Sequence, residues 1–370
     1  MNPTLVILLV GSAVAASCAI IGSFLVLRKL ALLGDAISHA VLPGIVLAFL
    51  ISGSRSPLPM VLGAALFGLL TVFLVEMGNR SRRLQEDASI GVVFPALFSI
   101  GVILISRYAG QVDLDLDCVL YGEIAYSPWD TLELNGQMLG PRALWINGVI
   151  LLLDLAFVTL FYKELKLTTF DPGLAAALGF SPILLHYLLM GMLSLTIVGA
   201  FDSVGAILVV AMLVVPPATA YLLTERLSRM IAFAAGFGVL SALLGYALAR
   251  AIDSSIAGAM ASVSGLIFLL VLALSPRHGL LAKWLRHRKL SRGMAEQLLL
   301  LHLEHSGEGR RLPHVAQRFG WSERELERVA LRLLDRGWLE QGDGTLRLTP
   351  TGLAAIERSG QAQLRHQVEA

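Results

Sequence analysis

Stretches of about 20 mostly apolar residues recur through the first three quarters of the chain, and they restrict its fold more than any other feature. A helix of about 20 such residues crosses a bilayer core about 30 Å thick. Of the 370 residues only 15% are charged, where soluble domains have about a quarter, and the mean hydropathy is +0.72. The sequence therefore predicts an all-α polytopic membrane protein and argues against a purely soluble enzyme.

The length rule predicts about nine transmembrane helices, of which the second and seventh carry polar residues or prolines that would normally end a helix. Their approximate bounds are Leu5–Leu27, Asp35–Ile51, Leu58–Met77, Ala88–Ser106, Ala143–Tyr162, Ile183–Phe201, Val204–Leu223, Met230–Ala249 and Ile256–Leu274. Pro43-Gly44 is expected to bend or break the second span. Glycines within the spans are expected to let helices pack closely. They are Gly63, Gly68, Gly191, Gly199, Gly236, Gly238, Gly245 and Gly265.

Charge divides the chain into two parts and predicts its orientation. Residues 1–275 carry 13 basic and 16 acidic side chains, and residues 276–370 carry 16 and 11. Basic residues cluster in alternate loops, which marks those loops as cytoplasmic. The loop between Arg107 and Arg142 has six acids and no basic residue, so we place it and the N-terminus outside and the C-terminal part in the cytoplasm.

Asp35 and His39 are the polar pair of greatest interest within the spans. In a helix, residues four apart lie on one face. Carboxylate and imidazole groups suit a divalent ion such as Mn²⁺, Zn²⁺ or Fe²⁺. The same spacing occurs often by chance, so the residues alone leave a second interpretation open, a hydrogen-bonded pair that steadies two helices. Asp154, in the fifth span, is similarly open between a relay and an intramolecular hydrogen bond, and His186 is interpreted as an interfacial residue.

The segment from Arg28 to Gly44 closely resembles the signature of metal-uptake ABC permeases, the integral membrane subunits of manganese, zinc and iron importers. Glu86–Phe94 and Val204–Ala220 resemble two further blocks of that family, and the resemblance covers nearly all of residues 1–275. It implies that Asp35 and His39 bind the transported Mn, Zn or Fe ion where two permease subunits meet, as a homodimer or a heterodimer. It implies no permanently bound cofactor.

ABC permeases also insert a short cytoplasmic helix into their ATPase, and the candidate here lies between Thr168 and Pro182. Asp171 can cap it, Pro172 fits the first helical position, and Gly179 is a natural stop. From the residues alone, an ordinary cytoplasmic loop helix is the preferred interpretation. The coupling residues that the resemblance implies are Asp171, Pro172, Leu174, Ala175, Ala176 and Gly179.

The energy source has to be a separate subunit, because no lysine follows a glycine and the chain therefore lacks the core of a phosphate-binding Walker loop. The chain is thus expected to be no enzyme itself, and to work with a cytoplasmic ABC ATPase. The acidic outer loop is a candidate docking surface for an extracytoplasmic metal-binding protein, although its charge also suits a solvated loop.

Four segments are expected along the chain: the transmembrane domain 1–275, a basic juxtamembrane linker 276–293 held at anionic lipid headgroups, a winged-helix-like domain 294–358 and a tail 359–370. Helices are expected at Met294–His305, Leu312–Phe319 and from Ser322 to Gly337, followed by a two-stranded wing at Trp338–Leu348. This pattern is similar to the winged helix-turn-helix of metal-dependent repressors. The third helix carries candidate DNA or protein contacts at Arg324, Arg328 and Arg332.

Acidic residues at positions 323, 325 and 327 of that helix, together with the membrane tether, favour a regulatory or protein-contact role over DNA binding. The sequence therefore predicts the permease subunit of an ATP-driven importer for divalent transition metals. It would be a multi-pass protein of the bacterial plasma membrane with a small cytoplasmic winged helix-turn-helix domain. Two rival functions are a membrane-tethered metal-responsive transcription regulator and a gradient-driven carrier.

Overall fold

The computed structural model describes residues 2–53, 57–80, 85–108, 124–134, 137–275, 279, 296–304, 310–311, 323–342 and 345–356. The chain divides into two compact units, Met1–Gly279 and Leu280–Ala370.

The first unit begins with four helices, α1 (Pro3–Arg28), α2 (Ala31–Ser52), α3 (Pro57–Arg80) and α4 (Glu86–Tyr108). Asn2 caps α1 by accepting a hydrogen bond from the Thr4 backbone N–H, and Pro3 occupies the first helical position, where its missing N–H costs nothing. The apolar length of each helix, rather than an amphipathic pattern, is what makes it stable in lipid, where the helix satisfies its own backbone groups.

A β-hairpin and seven helices follow: β1 (Thr131–Leu134), β2 (Gln137–Pro141), α5 (Arg142–Leu160), α6 (Tyr162–Phe170), α7 (Pro172–Ala177), α8 (Pro182–Val204), α9 (Ala206–Tyr221), α10 (Leu227–Ile252) and α11 (Ile256–Leu274). The two strands pair antiparallel, in the loop for which the sequence predicted no regular structure. At its base the Arg142 backbone N–H donates to the Asp130 carbonyl at 2.8 Å. The other acids of that loop, except Glu133, lie outside the described residues.

Within the described ranges, eight helices are long and apolar enough to cross a membrane: α1, α2, α3, α4, α5, α8, α10 and α11. The seventh expected span is the helix α9, which has 16 residues and therefore a length of about 24 Å, short of a bilayer core of about 30 Å. Gly205 alone joins α8 to α9, and its φ of 77° is a conformation that glycine adopts at no steric cost.

The expected break at Pro43 is wrong in its stronger form, because α2 is one helix from Ala31 to Ser52. Proline removes one helical hydrogen bond, here the one that residue 43 would donate to the His39 carbonyl. The lost bond is offset by packing, since Pro43 and Gly44 are both buried. The Pro43 ring fits against Gly101 of α4, where an added methyl group would lie 2.9 Å from its Cδ.

The core of the first unit lies where α1, α8 and α9 meet, and most of α1 is buried within the bundle. Glycines allow the closest approaches between helices. A methyl group on Gly22 of α1 would lie 1.9 Å from the Leu213 carbonyl oxygen of α9. The predicted close packing is confirmed at Gly63, Gly68, Gly199, Gly238 and Gly245, whereas no described atom lies within 4 Å of a methyl group placed on Gly236 or Gly265.

The second unit contains a helix α12 at 296–304, β3 (Arg310–Arg311), α13 (Glu323–Asp335), β4 (Leu339–Gly342), β5 (Thr345–Leu348) and a helix α14 at 350–356. The sheet has the order β3-β5-β4, so the predicted two-stranded hairpin gains a third strand. Its core packs Leu299, Leu303, Leu326, Leu333 and Leu346 together. The predicted helix Leu312–Phe319 lies outside the described residues.

Candidate metal and coupling sites

Asp35 and His39 lie one turn apart on α2, as the sequence predicts. His39 Nε2 is 3.6 Å from Asp35 Oδ1, and the two side chains are 31% and 47% exposed respectively. Most of α2 from Leu33 to Val46 is otherwise buried, so the pair stands on the face that this unit leaves open, one turn after the exposed Leu32. Ser38 is buried on another face, where its hydroxyl donates to the Asp35 carbonyl at 2.6 Å.

Close helix packing fixes α2 on both sides of the pair. One residue before Asp35, a methyl group on Gly34 would lie 2.3 Å from Leu213 Cδ2 of α9. Five residues after His39, a methyl group on Gly44 would lie 2.4 Å from the Gly63 carbonyl oxygen of α3. Neither position leaves room to rotate the helix, so the backbone that carries the two candidate ligands is held in register.

The surroundings of His39 are aromatic on the α4 side. The imidazole centroid lies 5.4 Å from the ring of Phe94 and 6.0 Å from the ring of Phe98, the latter nearly perpendicular to it. These rings limit the orientations of the imidazole and shield one side of it from water. An oriented imidazole next to a carboxylate is suited to bind a divalent cation of borderline softness.

Two side chains do not complete a metal site. In the part of the chain that the structure describes, no three side chains from His, Cys, Asp and Glu come together to hold an ion. A transition metal usually takes at least about four ligands. An ion bound by this pair would therefore need further ligands from water, backbone oxygens or another chain facing Asp35 and His39.

The candidate coupling segment folds as the sequence predicts. Asp171 Oδ1 accepts a hydrogen bond from the Leu174 backbone N–H at 2.9 Å, Pro172 begins α7, and Gly179 adopts a φ of 89° after the helix ends. Ala175 is buried and Ala176 is exposed. Four large apolar side chains around α7 are 40% to 61% exposed, and they are Phe170, Leu174, Leu178 and Phe180. Such a patch outside the spans is suited to contact another protein.

A polar cluster next to the coupling segment was not predicted from the sequence. Arg28, at the end of α1, donates from Nε to Thr169 Oγ1 and from Nη2 to Thr168 Oγ1, each at 3.1 Å. Its Nη1 lies 3.3 Å from His186 Nδ1 of α8. His186 Nε2 in turn lies 3.3 Å from Glu76 Oε1 of α3. We call Arg28, Thr168, Thr169, His186 and Glu76 the Arg28 cluster.

Asp154 of α5 is wholly buried. Of the two interpretations that the sequence left open, a relay and an intramolecular hydrogen bond, its surroundings favour the hydrogen bond. Its carboxylate accepts from the hydroxyl of Ser17 on α1 and from Thr196 Oγ1 on α8, the latter at 2.9 Å. Two turns earlier on α5, Asn147 Nδ2 donates to Ser203 Oγ at 2.8 Å. These hydrogen bonds join α5 to α1 and α8, and they satisfy the buried polar side chains of α5.

The arginines predicted to contact DNA or protein do not form one free surface. Arg332 Nε lies 3.2 Å from Glu296 Oε1 and is held within the C-terminal unit, where Arg336 binds the same carboxylate. Arg328 is exposed on α13. The backbone of Arg324 is helical, and its side chain lies outside the described part of the structure.

Two similar proteins match 76% and 96% of this chain. The manganese transport system membrane protein MntD of Bacillus subtilis (strain 168) is 51% identical over 280 residues, which are 76% of this chain and 95% of that protein. The zinc transport system membrane protein TroD of Treponema pallidum (strain Nichols) is 42% identical over 361 residues, 96% of this chain and 98% of that protein. The second alignment includes most of the C-terminal unit, and the first covers about as many residues as the first unit contains.

A solved structure supports the same assignment. The structure described as PsaBC from Streptococcus pneumoniae in complex with Fab aligns with a TM-score of 0.64 and 31% identity, over 75% of this chain and 94% of that one. The sequence profile of the ABC 3 transport family matches residues 2–275, almost all of the first unit. The chain belongs to the ABC 3 transport family.

Proposed function

We propose that this chain is the permease subunit of an ATP-binding-cassette importer for a divalent transition metal ion, manganese, zinc or iron. The observation that carries the proposal is the Asp35–His39 pair, which stands on the open face of α2 in a membrane bundle of this family. The chain itself is a transport subunit and not an enzyme. Its eight long apolar helices make it a multi-pass membrane protein, in the bacterial plasma membrane under this proposal.

The ion site is completed by a second permease subunit. Asp35 and His39 supply one oxygen and one nitrogen, and the half-exposed face formed with Leu32 leaves space for a facing helix. A second copy, or a related permease, would bring an equivalent pair and reach the four ligands that Mn²⁺, Zn²⁺ or Fe²⁺ accepts. The ion is cargo, and it would pass from this site to the cytoplasm.

The ATPase partner docks on α7 and its flanking loops. Support comes from the capped helix at Asp171 and from the exposed apolar side chains Phe170, Leu174, Leu178 and Phe180, which a partner surface would bury. An extracytoplasmic metal-binding protein would deliver the ion to the outer face, near the hairpin of β1 and β2 and the acidic loop that precedes it.

The C-terminal unit is proposed to be a winged-helix domain on the cytoplasmic side, preceded by a linker that binds anionic lipid headgroups. The helix α13 and the hairpin of β4 and β5 support this assignment. Because Arg332 is occupied by Glu296, a protein-contact or regulatory role is favoured over DNA binding.

The site is tested by uptake measurements in cells that express the complete assembly. Asp35→Ala and His39→Ala should each lower accumulation of the transported metal at least about tenfold, since even partners of metal ligands are worth that much. The protein should still insert into the membrane, which immunoblotting of the membrane fraction checks. Ser38→Ala is the matched control, because Ser38 lies on the same turn but bonds to its own helix. Unchanged uptake in the two ligand variants would refute the site.

The rival functions make different predictions. A gradient-driven carrier needs no ATPase, so uptake would continue when the partner ATPase is inactivated. A membrane-tethered regulator would bind specific DNA through its C-terminal unit, and metal uptake would be indifferent to Asp35. Purification of the solubilised chain together with a nucleotide-binding subunit, and uptake that depends on it, would favour the importer.

A further inference from the structure

We propose that Arg28 is a positioning residue that links the coupling loop to the metal-binding helix, so that movement at α7 reaches Asp35 and His39 through its guanidinium group. This inference rests on the proposed function, since it requires the partner ATPase to act on α7. It assigns a role in energy coupling to the Arg28 cluster.

The first step of the argument is that Arg28 holds both arms of the coupling loop. The loop runs from the end of the candidate span α5 through α6 and α7 to the start of the candidate span α8. Two guanidinium nitrogens donate to Thr168 and Thr169 in the last turn of α6, and a third contacts His186 in the second turn of α8. Thr169 is two residues from Asp171, which caps α7. Any change in the separation of the arms must therefore strain or break contacts to Arg28.

The second step concerns which groups in the cluster donate hydrogen bonds and which accept them. A guanidinium group only donates, so the nearby His186 Nδ1 is an acceptor and the proton of a neutral imidazole lies on Nε2. That nitrogen lies 3.3 Å from Glu76 Oε1, a close contact without hydrogen-bond geometry, and the hydroxyl of Tyr187 donates to Glu76 Oε2 at 2.6 Å. The cluster thus runs from α6 through α1 and α8 to α3, and α3 packs closely against α2 at Gly63.

The third step is a short and rigid connection from Arg28 to the metal ligands. Arg28 ends α1 and α2 begins three residues later, at Ala31. Lys29 adopts a left-handed φ of 63°, and the Leu30 backbone N–H donates back to the Leu25 carbonyl at 2.9 Å. This pattern is a Schellman motif, and it leaves only Lys29 and Leu30, both held by hydrogen bonds, between the two helices. Asp35 lies in the second turn of α2, so a displacement of Arg28 moves the start of the helix that carries the metal ligands.

The arrangement predicts uncoupling rather than loss of either partial reaction. Without the guanidinium group, the ATPase can still move α7, and Asp35 and His39 can still bind an ion, but the two events are no longer linked. Allosteric coupling of this kind is usually worth about 5-fold to 150-fold. A residue that merely stabilised the fold would instead reduce transport and ATP hydrolysis together.

The experiment uses the full chain assembled with its ATPase, second permease and metal-binding protein in proteoliposomes, with Mn²⁺ and Zn²⁺ tested separately. For Arg28→Gln and Thr169→Val, the number of ions accumulated per ATP hydrolysed should fall at least about fivefold. ATP hydrolysis, and Mn²⁺ or Zn²⁺ binding to the nucleotide-free assembly, should stay within about twofold. Thr169→Val removes only the hydroxyl that accepts a hydrogen bond from Arg28 Nε. It therefore tests the role of the cluster if the Arg28→Gln chain does not assemble.

Matched controls show whether the effect requires a residue of the Arg28 cluster or follows from the loss of any arginine or threonine. Arg229→Gln removes an exposed arginine at the start of α10, and Thr159→Val removes an exposed hydroxyl that bonds within α5. Both should keep the wild-type ratio of ions to ATP. An unchanged ratio in Arg28→Gln or Thr169→Val, or a proportional fall in uptake and hydrolysis, would overturn this inference alone. A wild-type assembly that hydrolyses ATP and accumulates none of Mn²⁺, Zn²⁺ and Fe²⁺, each supplied separately, would overturn the proposed function as well.

Discussion

Two kinds of polar side chain occur within the membrane helices, and their surroundings assign them different roles. Asp35 and His39 keep 47% and 31% of their side-chain surface exposed and contact each other at 3.6 Å. Asp154 is wholly buried, and hydroxyl groups from two other helices donate to it. An acid in lipid is costly unless it has partners, so the first pair fits a binding site and the second a structural tie.

The contribution of the Asp154 hydrogen bonds to stability can be tested by removing one of the hydroxyl groups that donate to it. Ser17→Ala removes one of the donors to a buried carboxyl and should lower the free energy of unfolding by about 1–3 kcal/mol. The measurement is thermal or denaturant unfolding of the purified protein in detergent.

Ser23→Ala is the control for this substitution, since Ser23 is equally buried on the same helix and its hydroxyl bonds to the Ala19 carbonyl of that helix. It should change the stability by no more than about 0.5 kcal/mol. Equal losses in the two variants would show that the Asp154 contact contributes nothing specific.

The sequence could point to Asp35 and His39 because their spacing is local, four residues within one helix. It could not point to the Arg28 cluster, because Arg28 is 141 residues from Thr169 and 158 from His186. The signal available was indirect: Glu76, His186 and Arg28 each lie near the end of an apolar span on the side predicted to be cytoplasmic. Charges in such positions are ordinarily interpreted as interfacial, and only the packing of the helices brings these together.

At the scale of elements, the crossing of α2 and α3 depends on two glycines. A methyl group on Gly63 would lie 2.5 Å from the Gly44 carbonyl oxygen, and the reverse contact is equally short. Both obstructing atoms are backbone, so the helices would have to separate, and the register of Asp35 and His39 would change with them. Small residues at such crossings replace the hydrophobic driving force that lipid does not supply.

Substitution of Gly63 by Ala should therefore destabilise the protein by about 1–3 kcal/mol, the usual cost of overpacking. Metal uptake should fall as well, because α2 carries the ligands. Unfolding in detergent and uptake in cells are the two measurements.

Gly91→Ala provides the comparison on α4, where no atom of the described residues outside its own helix backbone lies within 4 Å of the added methyl group. It should be neutral or stabilising, by up to about 1 kcal/mol, because alanine favours a helix. A Gly63→Ala protein as stable and active as Gly91→Ala would contradict the close crossing.

Most helices could be predicted because apolar length is a strong and local signal. The nine expected segments all fall on helices, and Ile256–Leu274 has the predicted bounds. The prediction went too far at Pro43, where packing against Gly101 stabilises a continuous helix that local propensity disfavours. The hairpin before α5 was missed because its strands are only four and five residues long, and the alternation in Thr131–Leu134 is not continued in the second strand.

At the scale of the whole molecule, the family assignment applies to one unit and not to the other. The ABC 3 profile ends at residue 275, close to the boundary between the two units at Gly279. The manganese relative MntD is aligned over 280 residues, which are 95% of its own length and about as many residues as the first unit contains. We therefore expect transport to require the first unit and not the C-terminal one.

Deletion of Leu280–Ala370 should accordingly leave metal uptake by the assembled importer within about twofold of the full chain, measured at saturating metal. The residues retained include Gly279, whose N–H donates to the Ser275 carbonyl at the end of the bundle.

A regulatory role for the C-terminal unit would then appear as an altered dependence of uptake on metal concentration inside the cell. Complete loss of uptake, with the shortened chain present in the membrane, would make this unit part of the transport machinery. The immunoblot signal of the membrane fraction separates that result from degradation.

The contacts of Asp154 also constrain how the chain is made. Ser17 precedes Asp154 along the chain, whereas Thr196 follows it by 42 residues. At a translation rate of about 5–20 residues per second, roughly 2 to 8 seconds separate the synthesis of the acid from that of its second donor. During that interval the hydroxyl of Ser17 can already accompany the carboxyl group into the lipid. We therefore expect α1 to wait beside the translocon and to pair with α5 as it enters the bilayer, before α8 has left the ribosome.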